Sequence, residues 1–156
     1  ESYIHSADNF LFKYPVDNNL EIVELKDFLA RTIIMVIVSE YEAYIESVFV
    51  RRVALCGDEG VINLGKKSYA RSFRSPDLSK INAELSVLND ELKEEFINTV
   101  NAGGINVAWD NIMRARHAIV HKQGNLQLTF EDVKQEFIKT KKAIEALENV
   151  LFLRTV

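Results

Sequence analysis

Apolar side chains between residues 18 and 55 recur at three- and four-residue steps, and this pattern constrains the fold more than any other feature of the chain. Neither glycine nor proline interrupts it, so the spacing predicts one long helix, capped by Asp17 or Asn18. The β-branched run Thr32–Val38 would also suit a buried strand, but the helical pattern on both sides favours a helix. About 38 residues make a helix of roughly 55 Å. Because that exceeds a compact domain of this size, we expect a bend or an overhang into a dimer.

The rest of the chain has few helix breakers. Six glycines and two prolines in 156 residues favour long helices over a turn-rich β fold. Residues 1–17 are predicted to be an irregular lead-in, and residues 61–75 a short helix or an ordered loop. Helical spacing continues in four later segments: 76–88 with Pro76 at its first position, 92–100, a segment from 105 to a C-cap at Gly124 with Lys122 in the last turn, and 130–151.

These elements predict the fold class and the domain organisation. We expect an all-α, up-and-down bundle of four to six helices with a long N-terminal helix. A chain of this length suits one domain over 1–156, with its core at 18–152. Residues Thr129–Asp132 resemble a capping box at the start of the last helix.

Composition bounds the functional classes. The single Cys56 excludes an internal disulfide and a cysteine-based metal site. The longest apolar run, Ile33–Val38, is far shorter than the roughly 20 residues that a membrane span needs, so we expect a cytoplasmic protein without a membrane partner. A net charge of −4 argues against a general nucleic-acid coating protein, and no DNA partner is predicted.

Two segments are basic against this acidic background. The segment between Val61 and Pro76 contains no acid, and neither does the segment between Asn111 and Leu128. Their cations are Lys66, Lys67, Arg71 and Arg74 in the first, and Arg114, Arg116 and Lys122 in the second. Such patches suit local phosphate contacts with RNA, although a charge run is equally often a solvated face.

The segment Trp109–Gly124 holds two of the three histidines of the chain. On a helical wheel of about 100° per residue, Asp110, Arg114, His117 and His121 line one polar face. A histidine titrates near neutrality and can give or take a proton, and an arginine offers planar donors to a phosphate.

Arg116 projects from the apolar side of the same predicted helix. A guanidinium stays charged and is costly to bury alone. We therefore expect a buried acidic partner, or a cleft or subunit interface on that side.

The run Arg116–His121 resembles the R-x4-6-H motif of the HEPN superfamily, the higher eukaryotes and prokaryotes nucleotide-binding domains. Four residues separate Arg116 from His121 and six separate Arg114 from it, so both spacings fit. The family prefers asparagine after the arginine, where this chain has His117. The early segment Ser39–Glu46 is also similar to the first long helix of the ribonuclease-like HEPN groups, and the resemblance spans most of residues 20–150.

The resemblance implies a metal-independent endoribonuclease without a cofactor. HEPN ribonucleases act as homodimers with the motif at the interface, and they cleave single-stranded RNA to a 2′,3′-cyclic phosphate. They act in toxin–antitoxin, abortive-infection or other defence systems, which implies an antitoxin or a fused sensor domain as partner. Arg116 and His121 would then be catalytic, with His117 and Arg114 assisting.

Other interpretations of these residues stay open. An arginine and a histidine at a helix end can simply interact with its carbonyls and dipole. The domain could be a non-catalytic HEPN-like module that binds RNA, a nucleotide or a partner protein, or a plain scaffold that dimerises through its long helix. His117 and His121 have the spacing of two zinc ligands, but a third ligand is missing from the pattern. A serine hydrolase would need a nucleophile elbow that the chain lacks.

Overall fold

A computed structural model describes residues 2–13, 20–70, 72–74, 76–121 and 126–153, with the side chains of 20–22 left out. This part of the chain is all-helical, without a strand. None of the helices described is long and apolar enough to cross a membrane. The helices are α1 (Ser2–Lys13), α2 (Leu20–Ala54), α3 (Glu59–Tyr69), α4 (Leu78–Leu88), α5 (Asp90–Asn101), α6 (Ile105–Val120) and α7 (Phe130–Phe152).

Local sequence sets several of the helix ends. The predicted capping box is confirmed, since the Thr129 hydroxyl accepts from the Asp132 backbone N–H and the Asp132 carboxylate accepts from the Thr129 N–H. Between α5 and α6 the chain turns through Gly103 and Gly104, which have φ of 66° and 71°. A side chain would be strained in that left-handed conformation, so the turn depends on glycine.

The predicted irregular lead-in is wrong for residues 2–13, which form α1. Ile4, Ala7 and Leu11 share one face of α1 and pack against the core. Asp8 accepts a hydrogen bond of 2.7 Å from the Lys134 ammonium on α7. Exposed aromatic residues on the other side of α1 obscure this short apolar stripe in the sequence. Residues 1 and 14–17 of the lead-in lie outside the described part.

The segment predicted as the long helix contains α2, which has 35 residues and follows α1 in the chain. A helix of that length spans roughly 52 Å. Its contacts with α7 advance from Tyr41–Thr140 to Arg51–Glu148, so the two helices run in the same direction. Towards its C-terminal end, α2 is covered by α3, because Phe49 packs on Tyr69.

Trp109 anchors the start of α6 in the core. It is fully buried, its ring stacks on Tyr41 at 5.2 Å between centroids, and its Nε1–H donates to the Pro76 carbonyl at 2.8 Å. Asn111 bonds to Glu136 on α7, and α7 follows α6 after a short connection. The last turn of α6 therefore lies at the end of the molecule where α2 and α7 begin. One cavity there is lined by Val23, Lys26 and Asp27 of α2 and by Leu126–Glu131.

The Tyr41 phenol gives this core a pH dependence. Burial raises the pKa of Tyr41 from 10.0 to about 12, while its hydrogen bond to Thr140 acts in the opposite direction. The folded chain thus holds the phenolic proton more tightly than the unfolded chain. The resulting stability is complete below about pH 10 and is lost as the pH rises through about 12.

We expect Tyr41→Phe to unfold with a free energy about 1 kcal/mol lower than wild type at neutral pH, because the bond to Thr140 is lost. Between about pH 10 and 12 this deficit should shrink, since phenylalanine has no proton to lose. Urea unfolding followed by circular dichroism measures both effects. Tyr3→Phe, at an exposed position, is the control. Its free energy of unfolding should change with pH as that of wild type does. An undiminished deficit at pH 12 would contradict the prediction.

Candidate functional site

Two imidazoles lie side by side at the C-terminal end of α6. His117 occupies the last turn and His121 is the residue that ends the helix. Their ring centroids are 4.2 Å apart, with an angle of 47° between the ring planes. The His121 backbone N–H donates to the His117 carbonyl at 3.0 Å. Both side chains are exposed, so the pair is open to a ligand from solvent.

Arg114 lies on the same face of α6 and is also exposed. Its Nε–H donates to the Asp110 carbonyl at 3.3 Å, and its Nη2 donates to Asn111 Oδ1 at 2.9 Å. Asn111 Nδ2 in turn donates to Glu136 Oε1 at 3.1 Å. A chain of hydrogen bonds from α7 therefore holds the Arg114 guanidinium against the preceding turn of α6.

Asn111 and Glu136 are absent from the set of residues predicted from sequence. The spacing of Asn111 and Arg114, three residues apart on one helix, was an available signal. Glu136 on α7 had no such signal in the sequence, because it becomes a neighbour of Asn111 only when the helices pack.

Arg116 lies on the opposite, inward side of α6. It is half-buried, and its Nε is buried without a hydrogen-bond acceptor. Within the described ranges, Arg116 makes neither a hydrogen bond nor an ion pair. The sequence predicted either a buried acidic partner for Arg116 or a cleft or interface on its side of the helix. No acidic partner is found among the described residues. A cleft or a subunit interface stays a prediction.

A single chain does not bring Arg116 and His121 together on one face. Around an ideal helix, His121 lies about 140° from Arg116 but only about 20° from Arg114. One chain therefore presents Arg114, His117 and His121 on a shared exposed face, while Arg116 projects elsewhere.

Three of the other predicted RNA-contacting residues, Lys66, Lys67 and Arg74, lie far from this face. All three are exposed, but α3 packs at the C-terminal end of α2, where a Cβ added at Gly65 would lie 3.0 Å from the Val53 side chain. The histidines lie at the other end of α2, and the roughly 26 residues between these ends span about 39 Å. Within one chain, the first basic segment is thus separate from the histidine pair. Lys122 and Arg71 lie outside the described residues.

Among the residues that the structure describes, no group of three or more histidines, cysteines or carboxylates could hold a metal ion. The chemistry that the described side chains offer here is proton transfer by two imidazoles beside an oriented guanidinium.

Comparisons of the chain with protein-family models, with curated proteins and with solved structures gave no match.

The unsatisfied Nε of Arg116 leads to a prediction about stability. Arg116→Met keeps an unbranched apolar stem but removes a buried donor without an acceptor. We expect the variant to unfold with a free energy about 1 kcal/mol higher than wild type. The measurement is urea unfolding followed by the fluorescence of Trp109, the one tryptophan of the chain, at a concentration where the protein is monomeric.

The matched control is Arg114→Met. That substitution removes an arginine that is already hydrogen-bonded at the surface, so it should give no gain in stability. Loss of about 1 kcal/mol or more in Arg116→Met would contradict the interpretation that Arg116 is unpaired within its own chain.

Proposed function

We propose that this protein is a metal-independent endoribonuclease of the HEPN type that cleaves single-stranded RNA. The observation that carries the proposal is the exposed His117–His121 pair, 4.2 Å between ring centroids, on the face of α6 that also presents Arg114. Two imidazoles and a hydrogen-bonded guanidinium on one face of α6 offer the acid, the base and the cation that such a reaction needs. Arg114 and His121 also have a spacing that fits the R-x4-6-H motif.

In the proposed reaction, each of these side chains has its own role. One imidazole takes the proton of a ribose 2′-hydroxyl, whose oxygen attacks the adjacent phosphorus. A protonated imidazole gives a proton to the departing 5′-oxygen, so the products are a 2′,3′-cyclic phosphate and a free 5′-hydroxyl. A guanidinium stabilises the negative charge that gathers on the phosphate oxygens.

Arg116 enters this proposal through a second copy of the chain. Its buried Nε has no acceptor in the described part, and it projects about 140° from His121. A two-fold axis beside α6 would bring two copies of the motif around one cleft. There, Arg116 of one protomer could meet the phosphate held by His121 of its partner.

Apolar side chains at this end of the molecule suit such a dimer. Phe28 and Met35, seven residues apart on one face of α2, are 63% and 36% exposed, and Val120 beside His121 is 44% exposed. We infer that α2 is the long helix of an up-and-down bundle and contributes to the dimer surface.

The biological setting follows from the HEPN resemblance. We propose a cytoplasmic toxin or effector of a toxin–antitoxin or antiphage defence system, restrained by an antitoxin or a fused sensor domain. Because a net charge of −4 gives no bulk electrostatic attraction to RNA, RNA capture would depend on local shape and on the site itself. Lys66, Lys67 and Arg74 would then bind a distant part of the RNA strand.

A second candidate function is a non-catalytic HEPN-like module that binds RNA, a nucleotide or a partner protein. The angular separation of Arg116 and His121 within one chain favours it. If the protein does not dimerise, the described residues supply a basic, hydrogen-bonding surface but not the two-arginine, two-histidine cleft.

The deciding experiment is cleavage of an end-labelled single-stranded RNA in EDTA. We expect wild type to leave 2′,3′-cyclic phosphate ends. His121→Ala should lower the rate by about 10²–10⁴, the usual contribution of an acid–base group, and Arg116→Ala by about 10². Both variants should retain RNA binding in a gel-shift or anisotropy assay.

Matched substitutions control for the loss of any histidine or arginine. His5 on α1 is exposed and lies on another helix, so His5→Ala should cleave as wild type does, and so should Arg52→Ala near the far end of α2. An inert wild type that still binds RNA would support the binding module instead. A strictly monomeric wild type in sedimentation analysis would count against the composite site.

A further inference from the structure

A cavity of about 370 Å³ lies between α1, the middle of α2 and α7. Its volume falls in the range of small-ligand sites. Apolar side chains of α2 and α7 form much of its wall, among them Ile33, Ile37, Phe137 and Ile144. None of the described residues of α6 lines it, so the cavity is separate from the face that carries the histidines.

Glu40 supplies the charge of this lining. Its side chain is exposed, and it forms no ion pair within the described ranges. Lysine and arginine are absent from the described lining. The first turn of α1 also borders the cavity, and the free N–H groups of a helix start carry about half a positive charge. Because the full charge of the carboxylate exceeds it, the cavity favours a cation over an anion.

Aromatic rings add to this preference. Four of the lining residues are aromatic, namely Tyr3, Tyr41, Tyr44 and Phe137. Trp109 covers one face of Tyr41, so attraction of a cation to ring faces depends mainly on the other three. Tyr44 already makes such a contact, since the guanidinium of Arg51 lies 6.0 Å from its ring centroid. Glu148, at 2.7 Å, balances the charge of that arginine.

The hydrogen bonds at the cavity leave acceptors rather than donors. Thr140 donates its proton to the Phe137 carbonyl at 3.1 Å, so Tyr41 is the donor in the 2.8 Å bond between the two hydroxyls. The Tyr44 hydroxyl donates to a carboxylate of α7. A carboxylate such as that of Glu40 can only accept. A positively charged head group with N–H donors complements this set.

We propose that the cavity binds a primary alkylammonium, with the charged head group beside Glu40 and the alkyl chain along Ile33, Ile37 and Ile144. An ammonium offers three N–H donors and a full positive charge, and its alkyl chain replaces water against the apolar wall. The ligand would contact α1, α2 and α7 at once, so its binding should stabilise the packing of α1 on the other two helices.

The test is a heteronuclear NMR titration at neutral pH with hexylamine, hexanol and heptanoate. These probes share a hexyl chain and differ in the charge of the head group, since hexylamine is protonated at neutral pH as lysine is. We expect hexylamine to bind about fivefold tighter than hexanol, through a surface ion pair and the ring contacts. Heptanoate should bind more weakly than hexanol. Amide signals of the residues that line the cavity should shift, and those of His117 and His121 should not.

Two substitutions on α2 separate charge from volume. Glu40→Gln removes the charge at nearly constant shape, so it should weaken hexylamine about threefold and leave hexanol unchanged. Val36→Phe fills the cavity from its wall and should weaken both probes about tenfold. The matched controls are Glu24→Gln and Val23→Phe, the same changes at exposed positions of α2 outside this cavity. Both controls should bind as wild type does.

Several outcomes would overturn the proposal. They are undetectable binding of hexylamine, equal binding of hexylamine and hexanol, tighter binding of heptanoate, or signal shifts confined to residues outside the cavity. Wild-type binding of hexylamine by Glu40→Gln or by Val36→Phe would also overturn it. Circular dichroism checks the fold of each variant, and Glu40→Gln, at an exposed position, keeps the test decisive if Val36→Phe does not fold. The proposed nuclease stands or fails separately, because the histidine face and this cavity share no described residue.

Discussion

The burial of Trp109 is the contact on which the position of α6 depends. Its indole ring stacks on Tyr41 of α2, and its N–H donates to the Pro76 carbonyl just before α4. Three parts of the chain therefore meet at one side chain with no exposed surface. Burying so large an aromatic is among the strongest contributions a single residue makes. Because helices are stiff, holding the start of α6 also determines where its last turn lies.

The two sides of α6 are subject to opposite constraints. Ile105, Ala108, Trp109 and Ile112 face the core, while the other side of α6 faces solvent and carries charged and hydrogen-bonding side chains. Arg114, His117 and His121 follow this rule. Arg116 breaks it, since its side chain begins in the apolar stripe and its Nε lies buried without an acceptor among the described residues. A residue that weakens its own packing needs a reason outside the isolated chain, and contact with a phosphate or a second protomer supplies one.

The two basic segments of the chain are also apart in three dimensions. In the sequence, Lys66, Lys67 and Arg74 precede Arg114 by 40 to 48 residues. In the fold, the long helix α2 separates them, because α3 packs at one end and the histidines lie at the other. Any RNA bound by both would have to run along the molecule rather than into one pocket. RNA binding and RNA cleavage would then depend on separate surfaces of the molecule.

The chain's own periodicity determined the helical class, the approximate bounds of α2 and α4–α7, the capping box at Thr129 and the shared face of Arg114, His117 and His121. These are local properties, since each depends on residues within about one turn of another. Only the tertiary structure decided that residues 2–13 are helical, because α1 depends on burying Ile4, Ala7 and Leu11 and on the ion pair of Asp8 with Lys134. It likewise decided that Glu136 orients Arg114 through Asn111, and that a cavity opens between α1, α2 and α7. The physical reason is the same in each case, because contacts between residues far apart in sequence form only when helices pack. The spacing of residues along one helix does not predict which residues of other helices it will contact.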